Sequence, residues 1–330
     1  DTTESRGLGD VYKRQRLCYE SFMESDRLGY PDIPQWSRSK VLVDLFEETV
    51  LLTQWDKCGG GDEILFAEVI LNLKSLGKSL YIETEPRCCD LMKNSFPENI
   101  VFNVGTLPPW EKDTNLQKPT IQLHTRSYAF HLYRSINYFP RPQKYLQADF
   151  NLAQKWRSQI DSISSNKLKV GINWRSYWTA GETSYHSLCI RDLKLMFSEI
   201  KDDIQLFNLQ YDITEQEKKY ISDKLDLDIY DPEIDQMNDF HNLAAFISQL
   251  DVVICPPTTI YDLTGAVGTK IILLRTRASE EYSYLSLGWF KNQVTVIKDH
   301  NAPWDTILPL SLEQLILSLI HISEPTRLCR

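Results

Sequence analysis

One stretch, residues 250–274, constrains the fold of this 330-residue chain more than any other. Its opening residues, 251–255, are apolar, β-branched and too few for a helix, so they predict a buried strand. Two prolines follow and end the strand, because neither has an N–H to donate to a neighbouring strand. Thr258 then stands where it can cap a helix, and residues 271–274 predict a second buried strand. The order strand, helix, strand predicts a right-handed crossover between parallel strands.

The helix of this unit contains Gly265 and should end at Gly268, since glycine is favoured just past the end of a helix. In parallel sheets, ligands bind at the carboxyl ends of strands, and the amino terminus of a helix there attracts phosphate. The unit is therefore either an ordinary piece of a parallel sheet or one part of a phosphate-binding site. This stretch alone leaves both readings open.

Composition indicates a soluble globular protein: 42% of the residues are hydrophobic, 25% are charged, and no apolar run approaches the length of a membrane span. The formal net charge of −9 argues against a surface that binds nucleic acid or an anionic membrane. The seven cysteines form no C-x-x-C pair, which favours reduced thiols in a cytoplasmic protein.

Metal-binding motifs are weak in this sequence. The six histidines form no H-E-x-x-H motif, and Asp226-Leu227-Asp228 matches only a short D-x-D pattern. Hydrophobic and charged residues alternate through residues 225–230, which favours a strand with solvated carboxylates over a metal site. The sequence therefore predicts no metal and no bound cofactor.

The length predicts about two domains, at roughly 150 residues each. Residues 1–15 and 321–330 lack periodicity and resemble translated adapter sequence at the ends of metagenomic fragments, so they are set aside as non-native. Residues 16–35 predict a remnant helix and a linker. Strands and helices then alternate through residues 36–160 and again through residues 165–320. This alternation predicts two doubly wound α/β domains, joined within residues 151–169.

In the first half, an apolar strand at residues 50–54 leads to Gly59, Gly60 and Gly61, which open a helix. The glycines permit close approach of a ligand to the backbone, but they match neither G-x-G-x-x-G nor G-x-x-x-x-G-K-[ST]. Asp62 stands in the first turn of the helix. It either balances the helix dipole or is a carboxylate that faces a cleft between the domains.

Several segments together resemble the heptosyltransferase-like domains of glycosyltransferase family 9. In order, they are KCGGGDEILFAEV, VGINWRS, LFNLQYD and LAAFISQLDVVICPPTTIYDLTGAVG. The resemblance covers roughly residues 36–305. It implies a GT-B fold, in which two Rossmann-like domains face a cleft. In bacterial proteins such domains follow tetratricopeptide repeats, and they are distantly similar to protein O-GlcNAc transferase.

This resemblance implies transfer of a sugar from a nucleotide-diphosphate donor to a hydroxyl of a glycan, a lipid-linked acceptor or a protein. The implied reaction is metal-independent and inverting, with no role for nucleic acid. Asp62 matches the family's acceptor base. The family's donor-side and glycine positions are matched by Arg175, Ser176, Gln210, Tyr211, Thr258, Thr259, Gly60, Gly61 and Gly265.

The sequence departs from the family at two donor-contact positions. Pro257 and Asp262 stand where heptosyltransferases carry an aspartate and a histidine. Loss of these contacts puts heptose as the donor in doubt and weakens the inference of activity. Three functions remain open: a glycosyltransferase, a non-catalytic module that binds a nucleotide sugar or a glycan, and a nucleotide-sugar epimerase.

Overall fold

A computed structural model describes residues 29–36, 48–53, 59–75, 80–125, 144–164, 166–176, 188–276, 290 and 293–298. The set-aside ends and residues 16–28 of the predicted remnant helix lie outside these ranges, as do residues 312–320, an apolar segment whose sequence predicts a helix. Within the described ranges, no helix combines the length and the apolar character that crossing a bilayer requires.

The first half forms a parallel sheet with the order β3-β2-β1-β4. Its strands are β1 (Val50–Thr53), β2 (Leu80–Thr84), β3 (Ile100–Asn103) and β4 (Ile121–His124). The helices between them are α1 (Gly60–Phe66), α2 (Glu68–Ser75), α3 (Pro86–Ser95) and α4 (Pro109–Lys112). Sequence reasoning found the first three strands but left β4 as a segment of uncertain structure.

The second half forms another parallel sheet, with the order β10-β9-β8-β5-β6-β7. Its strands are β5 (Leu168–Ile172), β6 (Ile204–Asn208), β7 (Ile229–Tyr230), β8 (Val252–Cys255), β9 (Lys270–Thr276) and β10 (Gln293–Lys298). Its helices, with the one that leads into it, are α5 (Phe150–Ser164), α6 (Asp192–Phe197), α7 (Glu215–Leu225), α8 (Phe240–Ile247) and α9 (Thr259–Val267). The chain runs outward from β5 on one side and from β8 on the other, so the strand order reverses between these two strands. Ligands bind at this switch point in doubly wound folds.

The unit that opened the sequence analysis is confirmed: β8, α9 and β9 follow one another and the two strands are parallel. Gly268 ends α9 in the left-handed region, with φ of 89°. Thr214 and Glu217, three residues apart, predict a capping box at the start of α7, and the structure has it: the Thr214 hydroxyl accepts a hydrogen bond from the Glu217 backbone N–H, and the Glu217 carboxylate accepts one from the Thr214 backbone N–H. Both features follow from local chemistry.

Two local predictions were wrong. The alternating segment at 225–230 is not one strand: Asp226 is the left-handed end of α7, with φ of 55°, and only Ile229–Tyr230 pairs with the sheet. Aspartate tolerates this conformation better than most residues do. The polar residues at 162–169 predict a linker, which is also wrong, because α5 continues to Ser164 and β5 begins at Leu168.

One apolar cluster runs through both halves of the molecule. It joins β1 and β2 to β8 and β9 by way of side chains on α1, α3, α8 and α9. Its members include Val50, Ile82, Ile64, Leu91, Phe246, Leu263, Val253 and Ile271. Side chains of these four helices thus contribute to one core that contacts both sheets. The domain boundary within 151–169 stays a prediction.

A substitution at Gly265 would test this packing. It lies inside α9, and a Cβ at that position would overlap the ring of buried Phe290. We expect Gly265→Ala to lower the free energy of unfolding by about 1–3 kcal/mol, because overpacking forces neighbours to shift. Urea unfolding measures this change.

The matched background is Phe290→Ala, which removes the ring. There, Gly265→Ala should be neutral or stabilising by up to about 1 kcal/mol, since alanine is the better helix former. An equal cost in both backgrounds would show that the ring contact is not the cause.

Candidate functional site

A cleft of about 340 Å³ lies where loops from both sheets meet. Each of these loops follows the carboxyl end of a strand, namely β1, β2, β5, β6 or β8, or precedes α8. The lining residues are Gly59, Gly60, Arg87, Asn173, Ser176, Tyr211, Gln236, Met237, Phe240, Thr258, Thr259 and Ile260. The volume falls in the range of small-molecule sites, roughly 300–1,000 Å³.

The structure brings five of the sequence-predicted site residues to this cleft: Gly60, Ser176, Tyr211, Thr258 and Thr259. The other predicted residues, Asp62, Gly61, Arg175, Gln210 and Gly265, are not among those that line it. A larger groove, of about 780 Å³, lies at the amino ends of β5, β8 and β9 and contains none of the predicted site residues. Of these two cavities, only the smaller cleft is lined by predicted site residues.

Thr258 begins α9, as predicted, but its side chain does not cap the helix. Its hydroxyl donates instead to Oδ1 of Asn173, at 2.9 Å. The prediction of a side-chain cap was therefore wrong, because a fully buried amide just beyond β5 offers a competing acceptor. As a consequence, the Thr258 side chain caps none of the first N–H groups of α9, and Thr259 and Ile260, which carry two of these groups, line the cleft.

Gln210 connects the loops that follow β5 and β6. Its side-chain Oε1 accepts hydrogen bonds from Asn173 Nδ2 at 2.9 Å and from the Arg175 backbone N–H at 3.0 Å. Its Nε2 donates to Asp212 Oδ1 at 2.7 Å. The side chain is completely buried, so it shapes the cleft through these loops rather than by facing it.

Arg175 is engaged within its own half of the molecule. Its guanidinium pairs with Asp212, and Nη2 lies 3.1 Å from Oε1 of Glu217. Glu217 is also the carboxylate of the capping box of α7. Arg175 can therefore reach a phosphate only by exchanging these partners. Its place in a donor site stays a prediction.

Arg87, in the first turn of α3, is a cleft residue that sequence reasoning missed. Its guanidinium lies 5.2 Å from the centre of the Phe240 ring, and Nη1 donates to the Met237 carbonyl at 3.3 Å. Glu85 holds the same guanidinium through Nη2 and Oε2 at 2.8 Å. Arg87 thus carries a positive charge from the first half across to α8 of the second. Its place in the sequence, a basic residue just after a predicted strand, could have marked Arg87 as a candidate ligand-binding residue.

Asn173 and the segment before α8 were also missed. The amide follows directly on an apolar strand, where a polar residue is unusual and could have been noticed. Gln236, Met237 and Phe240 precede or begin α8, and no motif marks them. Gln236 is buried and donates through Nε2 to the Asn208 carbonyl at 3.1 Å, while its Oε1 has no hydrogen-bond partner.

The glycines before Asp62 allow α1 to approach α8 and α9 closely. A Cβ on Gly60 would lie 2.6 Å from the Phe240 ring of α8, and one on Gly61 would lie 2.8 Å from Oδ2 of Asp262 of α9. A larger residue at either position would force these side chains to shift. Asp62 follows in the first turn of α1 and is part-buried. The glycines are therefore needed for contact between the halves as well as for space beside the cleft.

Glu63 is a buried carboxylate next to Asp62. It accepts hydrogen bonds from the Thr84 hydroxyl at 2.6 Å and from the Glu85 backbone N–H at 3.1 Å. Burial, with the nearby charges of Glu85 and Glu83, raises its pKa to about 7, although the two hydrogen bonds act in the opposite direction. Glu63 thus fastens the loop after β2, which carries Arg87, to α1.

No group of three or more histidine, cysteine or acidic side chains is arranged to hold a metal within the ranges that the structure covers. Asp226 of the D-x-D pattern instead pairs with Lys201.

Comparison with known proteins points to one fold. The chain is 10% identical to a glycosyl transferase family 9 structure from Veillonella parvula, covering 84% of this chain and 98% of that one, with a TM-score of 0.57. It is 12% identical to the ADP-heptose LPS heptosyltransferase II of Escherichia coli, covering 84% and 99%, with a TM-score of 0.52. It is 11% identical to TibC, the iron-containing dodecameric glycosyltransferase of enterotoxigenic E. coli, covering 85% and 81%, with a TM-score of 0.52.

Together with the two parallel sheets and the cleft between them, these likenesses define the GT-B fold. Among curated proteins, the chain is 25% identical over 264 residues to Protein FlbA of Caulobacter vibrioides. The match covers 75% of this chain and 43% of FlbA, so the chain spans less than half the length of that relative. No family model matches the sequence.

The raised pKa of Glu63 predicts a pH-dependent stability. Because the folded-state pKa of about 7 lies above the ordinary value of 4.5, the folded state binds the extra proton. Stability should therefore fall as pH rises from about 4.5 to about 7 and then level off. The Glu63→Gln side chain cannot ionise. We therefore expect the free energy of unfolding of the variant, relative to that of the parent, to rise across this pH window by up to about 3 kcal/mol.

Urea unfolding at pH 5 and pH 8 measures this effect. The matched control is Glu233→Gln, which changes an exposed carboxylate. If Glu63→Gln changes stability equally at both pH values, Glu63 does not titrate in this window and the assignment is wrong.

Proposed function

We propose that this chain is a glycosyltransferase that moves a sugar from a nucleotide-diphosphate donor to a hydroxyl acceptor. The observation that carries the proposal is the convergence of Gly60, Ser176, Tyr211, Thr258 and Thr259 on one cleft of the GT-B fold. These residues come from distant parts of the sequence, and the resemblance to family 9 had assigned them to one site. The fold alone would not support the proposal, because it hosts many functions.

The diphosphate of the donor is proposed to lie at the amino terminus of α9. The first N–H groups of this helix face the cleft without a side-chain cap, and Thr259 and Ile260 line it. Helix termini of this kind attract anions through unsatisfied N–H groups and the helix dipole. Arg87 adds a cation to the same cleft, and the hydroxyls of Ser176 and Tyr211 add hydrogen-bond donors. Arg175 would join them if a phosphate displaced Asp212 and Glu217.

Asp62 is proposed as the base. In an inverting transfer the acceptor oxygen attacks the anomeric carbon, its proton passes to the carboxylate, and the bond to the diphosphate breaks with its electron pair. The positive ends of α1 and α9 and Arg87 would hold the departing charge, so the proposed reaction needs no metal. We further propose that the acceptor is a glycan, a lipid-linked sugar or a protein. The proposal also includes a cytoplasmic location and upstream tetratricopeptide repeats. These rest on the sequence resemblance.

A non-catalytic module that binds a nucleotide sugar or a glycan is the second candidate. Two observations favour it: Pro257 and Asp262 replace the family's donor contacts, and Arg175 is already paired with Asp212 and Glu217. Such a module would bind in the same cleft and release no nucleotide.

A thermal-shift screen across ADP-, UDP-, GDP- and dTDP-sugars, followed by an assay of free nucleotide, separates the candidates. A ligand at 100 times its dissociation constant adds about 2.7 kcal/mol of stability. We expect one nucleotide class to stabilise the protein and to be released slowly as free nucleotide. Binding without release would support the module, and no binding by any donor would overturn both.

Asp62→Asn tests the base. The variant keeps the size of the side chain and most of its hydrogen bonding but cannot accept a proton. We expect turnover to fall by about 10²–10⁴-fold, the usual contribution of general-base catalysis, while the donor dissociation constant stays within a few-fold. Transfer rate and donor affinity are measured on the same preparations.

Asp90→Asn is the matched control, because Asp90 lies on the outer face of α3 with 75% of its side chain exposed. If Asp62→Asn turns over at the parent rate, the carboxylate is a dipole partner and not the base. If it loses donor binding, Asp62 belongs to the architecture of the glycine turn.

A further inference from the structure

A chain of side-chain hydrogen bonds connects the loops that follow β5, β6 and β8. The Thr258 hydroxyl donates to Asn173 Oδ1 at 2.9 Å, and Asn173 Nδ2 donates to Gln210 Oε1 at 2.9 Å. Gln210 Nε2 donates in turn to Asp212 Oδ1 at 2.7 Å. The other carboxylate oxygen of Asp212 pairs with the Arg175 guanidinium. The start of α9 is thus linked, through two buried amides, to an ion pair between the loops after β5 and β6.

The chain closes into a ring at Arg175. Gln210 Oε1 also accepts from the Arg175 backbone N–H, at 3.0 Å, while Gln210 Nε2 and the Arg175 guanidinium meet at the Asp212 carboxylate. Two residues that line the cleft adjoin this ring: Ser176 directly follows Arg175, and Tyr211 stands between Gln210 and Asp212. Asp212 itself is not among the lining residues. The ring therefore determines where two of the lining residues stand, although Asp212 does not face the cleft.

Glu217 fastens the ring to α7. Arg175 Nη2 donates to Glu217 Oε1 at 3.1 Å and to the Asp212 carbonyl at 3.3 Å. An isolated surface ion pair contributes little, but this pair belongs to a network that contains a fully buried amide. A phosphate would have to replace every one of these partners to reach the guanidinium. The contacts thus favour a positioning role for Arg175 over direct contact with a donor.

The direction of each bond in the chain follows from the carboxylate at its end. A carboxylate accepts hydrogen bonds and donates none, so the Gln210 amide turns its NH₂ group toward Asp212 and its oxygen toward Asn173. The Asn173 amide then donates to Gln210 and leaves its own oxygen to accept from the Thr258 hydroxyl. The hydroxyl proton of Thr258 is therefore already engaged and is not available to a phosphate.

We propose that Asp212 is a positioning residue: it sets the direction of this chain and holds the loops that carry Ser176 and Tyr211 in their binding geometry before a donor enters the cleft. The proposal rests on the function proposed above, in which the cleft is the donor site. In this arrangement Arg175 stays with Asp212 and Glu217 when the donor binds. Loops that are ordered in advance spare the ligand the entropic cost of ordering them.

The first test needs no ligand. Asp212→Ala removes the acceptor of Gln210 Nε2 and the partner of the Arg175 guanidinium, but it leaves the Arg175 backbone N–H and its own acceptor in place. Because Gln210 is then free to turn, we expect the Arg175 amide hydrogen to exchange about tenfold faster, the worth of roughly one hydrogen bond. Amide hydrogen exchange resolved by residue measures this rate.

Asp161→Asn is the matched control, because it breaks another ion pair of the second half, with Lys169 of β5. It should leave exchange at Arg175 unchanged. Asp212 is exposed, so its truncation removes no core packing. Unchanged exchange at Arg175 in Asp212→Ala would overturn the proposal.

The second test separates positioning from phosphate binding by the sign of one effect. Titration calorimetry measures the affinity for ADP, UDP, GDP and dTDP. If Arg175 contacted the phosphate, Asp212→Ala would remove a competitor and the affinity would rise. Because we propose that Asp212 positions the loops, we expect the dissociation constant of the nucleotide that binds to increase by about tenfold. A decrease, or no change, would overturn the proposal.

Asp212→Asn then separates geometry from charge. It loses the same negative charge as Asp212→Ala, but it keeps an oxygen that can accept from Gln210 Nε2. We therefore expect both the affinity and the exchange rate at Arg175 to return toward the parent values. Equal affinities in the two variants would assign the effect to charge and overturn the proposal.

The two tests fail independently. Faster exchange at Arg175 in a protein that binds none of the four nucleoside diphosphates would support the ring and overturn the proposed function. Nucleotide binding with unchanged exchange in Asp212→Ala would overturn the role of Asp212 and leave the proposed function intact.

Discussion

The close approach of α1 and α9 is the contact on which the rest of this structure depends. Gly61 permits it, because a side chain there would meet Asp262, and Gly60 permits the adjoining contact of α1 with Phe240 of α8. Through this contact the apolar cluster of the first sheet continues into the second, and both helix amino termini come to one cleft. The geometry that favours anion binding is thus a consequence of how the two halves pack.

A network of amides gives the cleft its shape. The Thr258 hydroxyl donates to Asn173 and so does not cap α9, and hydrogen bonds of Gln210 join the loops after β5 and β6. Such buried networks are stable only when their members are satisfied. Here they fix the second half of the cleft before any ligand is present, while Arg87 and the glycine turn supply the first half. Pre-organised polar groups of this kind lower the cost of holding a developing charge.

Much of the fold could be read from the sequence because its signals are local. The β8–α9–β9 unit, the capping box of α7 and the end of α9 at Gly268 each depend on neighbouring residues alone. The strand β4 could not be read, because two of its four residues are polar, Gln122 and His124, and only its place in the sheet beside β1 buries them. The partners of Arg175, the hydroxyl bond of Thr258 and the contact of Asp262 with Gly61 arise from residues far apart in sequence. No local pattern predicts such contacts.

The proposed function requires a nucleotide-diphosphate sugar to bind in the cleft between the two halves, with its diphosphate at the amino terminus of α9. Amide hydrogen exchange with and without a saturating nucleoside diphosphate tests it most directly, because it reports on backbone N–H groups residue by residue. The account predicts that exchange slows at residues 59–61 and 258–260 together, with no change in the groove beside Phe150. Binding that protects neither segment, or that protects only residues lining that groove, would contradict it.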